Sequence, residues 1–130
     1  VEENVAKDAE YKIYELTQAA SRRNFSEFSE ILADMTSKGY DENAALASLT
    51  SHFRTLLEVS TLRGSDSEIA TALGIKPYAV QRNRETASRL GRGRVKELYS
   101  RLYELSCGAR SGLYTKSGAL SAAIAQLFFG

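Results

Sequence analysis

Hydrophobic side chains recur along most of the chain at intervals of three and four residues, the period of an amphipathic helix. The clearest stripe predicts a long central helix that opens at Asp41 and ends at Gly64. The buried stripe of this helix consists of Leu46, Leu49, Phe53, Leu56, Leu57 and Ser60. Its length indicates that the other elements pack around it.

The same spacing predicts four further amphipathic helices, two before the central helix and two after it. The first ends near Asn24, and the second begins at a Ser26 cap and ends at Gly39. The third follows a basic turn, Gly91-Arg92-Gly93-Arg94, and a loop over residues 108–118 separates it from the last. The inward-facing residues of these helices are Ile13, Leu16, Ala20, Phe28, Ile31, Leu32, Met35, Val95, Leu98, Leu102, Leu105, Leu120, Ala123, Ile124, Leu127 and Phe128.

Residues 65–90 predict two short helices joined by a tight turn, a helix-turn-helix-like unit. Ser65 and Glu68 have the spacing of a capping box, which satisfies backbone N–H groups at a helix start. Gly74 suits the left-handed residue that ends a helix, and Pro77 pre-sets the first turn of the next one. Three residues of the second helix turn inward: Val80, Ala87 and Leu90.

The composition is that of a single helical domain. The chain has 130 residues, of which 43% are hydrophobic and 25% charged, with one Pro and no Trp. Few β-branched runs and many Ala, Leu, Glu, Arg and Ser residues favour helices joined by short turns. We therefore predict an all-α bundle of about six to seven helices over residues 11–130, with residues 1–10 as a connector from a preceding domain.

The sequence also bears on the compartment. No apolar run approaches the ~20 residues that span a membrane, and no signal peptide opens the chain. Cys107 is the single cysteine, which excludes an internal disulfide and fits a reducing environment. We expect a cytoplasmic protein with no membrane partner.

Charge is distributed unevenly although the net charge is only +1. Residues 1–42 carry five Lys/Arg against ten Asp/Glu, a net of −5, whereas residues 76–96 carry seven against one, a net of +6. Such a basic stripe binds nucleic-acid phosphates, meets an acidic partner or forms a solvated helix face. The stripe contains Lys76, Arg82, Arg84, Arg89, Arg92, Arg94 and Lys96.

Residues with catalytic chemistry are sparse and isolated. His52 is the only histidine and has no Cys, Asp or Glu nearby at ligand or triad spacing, and Cys107 has no histidine close in sequence. Residues 112–117 faintly echo a phosphate-binding loop but lack the glycine before the lysine and a preceding strand. The acidic residues of the second helix have the spacing of a solvated face: Glu27, Glu30 and Asp34. We predict a non-enzymatic domain without metal or cofactor.

The order of these elements resembles the C-terminal domain of the bacterial DNA polymerase III delta subunit over most of residues 11–129. The most specific matches are the turn Gly74-Ile75-Lys76-Pro77-Tyr78-Ala79-Val80, the opening Ile13-Tyr14-Glu15-Leu16 and Gly39 before the central helix. Other matching segments are Phe53-Arg54-Thr55-Leu56-Leu57 and Glu104-Leu105. The chain departs from the family at two places: Arg110-Ser111-Gly112 stands where the family usually shows Lys-Thr-Gly or a similar basic tripeptide, and Ser106 stands where it often shows an acidic residue.

This resemblance implies a non-catalytic assembly role. In that family the domain joins a collar of similar domains from the other clamp-loader subunits, which supports loading of the sliding clamp onto primed DNA in replication. The implied partners are the delta prime and gamma/tau subunits through the collar and primed template DNA in the assembly. The sliding clamp would be bound through an N-terminal domain ahead of residue 1.

The alternative interpretation is a helix-turn-helix DNA-binding regulator whose second helix, residues 77–90, enters the major groove. The residues directed at base edges would be Lys76, Tyr78, Gln81 and Arg82. Because the unit is embedded between a long helix and two more helices, packing within the bundle is the favoured role. The candidate surface for DNA or an acidic partner comprises Lys76, Gln81, Arg82, Arg92 and Arg94.

A second candidate DNA contact lies in the loop before the last helix. Arg110 and Lys116 are cations that can hold adjacent phosphates, and Tyr114 can stack on a base of single-stranded DNA. The alternative is that Tyr114 covers the end of the bundle.

Overall fold

The computed structural model describes the backbone of residues 2–130 and the side chains of residues 11–130. The regular structure in this part of the chain is helical, which confirms the predicted all-α bundle. The seven helices are α1 (Glu2–Ser21), α2 (Phe25–Ser37), α3 (Glu42–Thr61), α4 (Asp66–Leu73), α5 (Pro77–Leu90), α6 (Arg92–Arg110) and α7 (Lys116–Phe129).

Helix α3 is the centre of the bundle, as its apolar stripe predicts. It packs against α1, α5, α6 and α7, and its side chains at Leu46, Leu49, Phe53 and Leu56 are buried in the main core. Asp41 is its N-cap residue, but α3 ends at Thr61 rather than at Gly64 because Leu62 turns into extended backbone. The three residues after Thr61 lead directly into the helix-turn-helix-like unit.

The helix-turn-helix-like unit has the local geometry that its sequence predicts. The Ser65 hydroxyl accepts from the Glu68 N–H at 3.2 Å, and the Ser65 N–H donates to the Glu68 carboxylate at 3.3 Å. Gly74 is left-handed with φ 71°, and Pro77 begins α5. Val80 lies in a small core of its own with Val59, Ile69 and Ala70, whereas Ala87 joins the main core and Leu90 packs at its margin.

The start of the chain departs from the prediction at two helix ends. The backbone is helical from Glu2, so the first helix begins well before Ile13, while the role of residues 1–10 as a connector stays a prediction. Asn24 caps α2, accepting from the Glu27 N–H at 3.2 Å, whereas Ser26 lies inside the first turn of the helix. The earlier cap prevails because α1 already ends at Ser21.

Glycines around α6 do not form the predicted loops. Only Gly91, with φ 91°, separates α5 from α6, and Gly93 is already helical. The loop predicted over residues 108–118 is shorter, because α6 continues to Arg110 and α7 begins at Lys116. Gly108 lies inside α6, and the Tyr114 ring occupies the space that a Cβ would need there. Gly118 donates its N–H to the Thr115 cap at 3.0 Å.

His52 links α3 to the end of α1 and is partly buried. Its Nε2 lies 2.7 Å from the Ser21 hydroxyl oxygen, and the proton of that hydroxyl is donated to the Thr17 carbonyl at 3.0 Å. Because the hydroxyl proton goes to the carbonyl, the Nε2–H of His52 donates to Ser21. Burial lowers the pKa of His52 to about 4, so the imidazole is neutral near pH 7. The histidine thereby joins α3 to the end of α1.

We predict that Val80→Ala lowers the free energy of unfolding by ~1–3 kcal/mol, because it removes apolar contacts from the small core that Val80 shares with Val59 and Ile69. Gln81→Ala is the control, since Gln81 is the exposed neighbour on the same helix. Urea denaturation of both variants measures the effect. Equal midpoints for wild type and Val80→Ala would show that Val80 contributes nothing to stability.

We also predict that His52 makes stability depend on pH. Its pKa in the folded chain, about 4, lies below the ordinary value of 6.5, so the unfolded chain takes up the proton first as pH falls. The free energy of unfolding is then highest above the ordinary pKa and falls by up to about 3 kcal/mol between about pH 6.5 and pH 4. Urea titrations at several pH values test this. Since His52 is the only histidine, a His52→Gln variant that kept the same slope between pH 7 and pH 5 would refute the assignment.

Candidate nucleic-acid and partner interface

The predicted basic surface begins at the N-terminal half of α5. Lys76, the residue just before α5, and Gln81 and Arg82 within the helix are all exposed, whereas Val80 is buried. The Arg82 guanidinium lies over the Tyr14 ring, 5.5 Å from its centroid. A cation held against an aromatic face has a defined direction, so this end of α5 presents an ordered surface.

Arg92 and Arg94 lie in the first turn of α6, beyond the C-terminal end of α5, and do not extend this surface. Arg92 is exposed, whereas Arg94 is partly buried and donates to the carbonyls of Gln126 and Gly130 at 3.0 and 3.1 Å. The fourteen residues of α5 separate Lys76 from Arg92 by about 20 Å. The five predicted residues therefore fall into two groups.

A shallow cleft of about 240 Å³ adjoins the first group, between α1, α3 and α5. Two exposed tyrosines flank it, Tyr14 at 43% and Tyr78 at 59% exposure. Tyrosine and arginine side chains of this kind dominate the energetics of protein interfaces and also stack on bases. The cleft is lined by Tyr14, Thr17, Gln18, His52, Thr55, Tyr78, Ala79, Arg82 and Asn83.

The contact between Tyr14 and Arg82 cannot be predicted from the sequence. Tyr14 and Arg82 are on different helices and far apart in the chain, so no spacing rule connects them. The available signal was the exposed position of Tyr14 between inward-facing Ile13 and Leu16 on the same helix. That signal marks a solvent-facing aromatic residue but not its partner.

The loop candidates Arg110, Tyr114 and Lys116 lie at one end of the bundle. Tyr114 packs its ring on Gly108, and its N–H donates to the Gly108 carbonyl at 3.1 Å, yet the side chain is still 38% exposed. This contact fixes the ring against α6. The ring is therefore partly packed and partly accessible, and both interpretations of Tyr114 stay open.

The two cations of this loop differ in their engagement. Lys116 donates to Asp41 at 3.1 Å, and this hydrogen bond holds the pKa of the Asp41 carboxyl below its usual range. Arg110 is exposed, and its nearest polar contact is the Cys107 sulfur at 3.8 Å. An exposed ion pair is worth little, so Lys116 can exchange Asp41 for another anion at small cost.

Two other classes of site have no counterpart in the described residues. No group of three or more His, Cys, Asp or Glu side chains comes together at metal-binding spacing within this part of the chain. None of the helices described above is both long and apolar enough to cross a membrane.

Comparison with known proteins identifies the fold. Among solved structures, the Bacillus subtilis DNA clamp loader delta protein (YqeN) is similar, with a TM-score of 0.76 and 20% sequence identity. The match covers 90% of this chain and 35% of that one, so the chain spans about a third of the length of that protein. No curated protein sequence matches the chain.

A family model points the same way over the whole bundle. The model for the C-terminal domain of the DNA polymerase III delta subunit matches residues 10–127. The matched segment contains all the motifs on which the resemblance in sequence rests, from Ile13 in α1 to Leu105 in α6. The chain therefore belongs to this family, the C-terminal domains of DNA polymerase III delta subunits.

Proposed function

We propose that this chain is the collar domain of a clamp-loader delta subunit, an assembly domain that carries no catalytic step itself. Membership of the delta C-terminal family is the observation that carries the proposal. The fold supports it, because the helix-turn-helix-like unit is integrated into the bundle: α5 packs against α3, α4 and α6. A rigid bundle with exposed tyrosines suits lateral contacts between neighbouring domains.

The partners follow from this role. The collar would join the domain to the delta prime and gamma/tau subunits, and the assembly would act on primed template DNA. The sliding clamp would be bound by a separate N-terminal domain of the same protein. In this role the protein would act in the cytoplasm, where bacterial replication takes place.

A DNA-binding regulator is the weaker alternative because the α5 surface is short of free cations. Arg84 pairs with Asp66 at 2.7 Å and donates to the Gly64 carbonyl at 2.9 Å, which ties α5 to the start of α4. Glu85 is exposed on the same helix and would oppose phosphates. Lys76 and Arg82 remain, too few for tight binding to a duplex at physiological salt.

Assembly of the whole delta protein tests the collar role. We expect a delta protein that lacks residues 11–130 to bind the sliding clamp but to stay out of the complex with delta prime and gamma/tau. Native mass spectrometry of the mixed proteins measures this, with intact delta as the control. Normal assembly of the truncated protein, or a sequence-specific footprint of this chain on duplex DNA, would contradict the proposal.

The loop of Arg110, Tyr114 and Lys116 is proposed as a contact for single-stranded template. In the full assembly, Tyr114→Ala should lower affinity for primed template by ~1–3 kcal/mol, the worth of one stacked base, and leave the assembly intact. Tyr103→Ala is a matched control, since Tyr103 is an exposed tyrosine of α6 outside the loop. Fluorescence anisotropy with labelled primer-template measures both. Unchanged affinity, or failure of the Tyr114 variant to assemble, would leave the ring with a packing role only.

A further inference from the structure

A second cleft, of about 530 Å³, lies where the ends of α1, α5 and α7 meet the start of α6. Its rim carries four arginines, and no carboxylate is among the described residues that line it. The arginines are Arg22, Arg23, Arg89 and Arg94. These four positive charges do not belong to the α5 surface described above, because Arg22 and Arg23 lie in the turn that follows α1.

Three of these guanidinium groups are fixed by backbone carbonyls at helix ends. Arg23 donates to the Phe128 carbonyl at 3.0 Å, Arg89 to the Ser21 carbonyl at 3.2 Å, and Arg94 to the Gln126 carbonyl at 3.0 Å. Each guanidinium has five N–H donors, so donors remain for a ligand. A side chain that is already held loses little conformational entropy when it binds. The arginines are therefore preorganised for an anion.

Arg22 has no such structural role among the contacts of the described residues. It is exposed on the rim of the cleft. The ion pair of Arg94 with Glu97 at 3.4 Å offsets one of the four positive charges. The cleft consequently keeps a local positive charge that a partner can neutralise.

Apolar surface continues from this cleft. Phe53, Leu98 and Leu127 contribute to its walls. Phe25 and Phe129 lie beside Phe128, whose carbonyl Arg23 holds, and they are 44% and 71% exposed. Exposed phenylalanines next to ordered arginines are typical of the central residues of a protein interface.

We propose that the arginine cleft binds an acidic peptide segment of a partner protein, with carboxylates on the arginines and a large apolar side chain against Phe25 and Phe129. Guanidinium forks match carboxylate and phosphate equally well. The neighbouring rings decide between them, because Phe25 meets Phe128 and Phe129 edge to face, at 65° and 69°. Rings so arranged form an apolar corner that fits a Leu or Phe side chain of a peptide.

The test uses the 130-residue chain and two pools of fluorescein-labelled heptapeptides. The acidic pool alternates Asp or Glu with Leu or Phe, and the neutral pool carries Asn or Gln in place of the acids. An oligothymidylate of the same charge is the nucleic-acid probe. Anisotropy at physiological salt should give an affinity for the acidic pool at least about tenfold above those of the other two probes.

Matched variants locate the binding. Arg22→Gln combined with Arg89→Gln should lower the affinity for the acidic pool about tenfold, whereas Arg54→Gln combined with Arg101→Gln, which removes the same charge outside the cleft, should preserve it. Arg22→Gln alone tests binding without disturbing the Ser21 contact. Equal binding of both peptide pools, tighter binding of oligothymidylate through the same arginines, or an equal loss in the control would overturn the proposal.

Discussion

Burial of the apolar stripe of α3 is the constraint on which the rest of the structure depends. The side chains of Leu46, Leu49, Phe53 and Leu56 are fully or almost fully excluded from solvent, and four other helices pack against them. A helix buried on most sides has little freedom to move without opening the core, because packed interiors tolerate few voids. Helices α1, α5, α6 and α7 are therefore held in fixed relation, and every surface described above consists of side chains from more than one of them.

The helix-turn-helix-like unit illustrates how this constraint changes the meaning of a motif. Its capping box and left-handed glycine are local features that serve DNA readers and packing units alike. What differs is the attachment, since Val80 and Ala87 of α5 enter two separate cores and Arg84 binds the start of α4. A recognition helix needs a free face for the groove. Helix α5 has an exposed face, but its buried face is fixed against α3, α4 and α6. The motif is thus a compact way of connecting α3 to α6.

The sequence predicts the features that depend on neighbouring residues, but not those that depend on contacts between distant parts of the chain. The cap at Ser65, the turn at Gly74 and the start at Pro77 each depend on a few neighbouring residues, so their chemistry could be predicted. The loop predicted over residues 108–118 includes Gly108, which in fact lies inside α6. The actual role of this glycine, making room for Tyr114, depends on a contact that no residue pattern announces.

For the candidate sites too, the sequence predicts which residues are charged but not which contacts they make. The residues of the basic stripe were found by counting charges, but charge counting could not show that Arg94 is held at the end of α7 or that Arg82 lies over Tyr14. Nor could it join Arg22 and Arg23 to Arg89, since their proximity is created by the packing of α5 against α3 and of α3 against α1.

The arginines at the helix ends also connect stability with recognition. The C-terminal carbonyls of α1 and α7 lack intrahelical partners and carry partial negative charge, which favours cations there. Arg23, Arg89 and Arg94 satisfy these carbonyls and are thereby held in place. Because the same guanidinium groups keep unused donors, the contacts that close the helix ends also order a positively charged surface. A helical bundle can in this way present a defined anion-binding surface without a loop devoted to it.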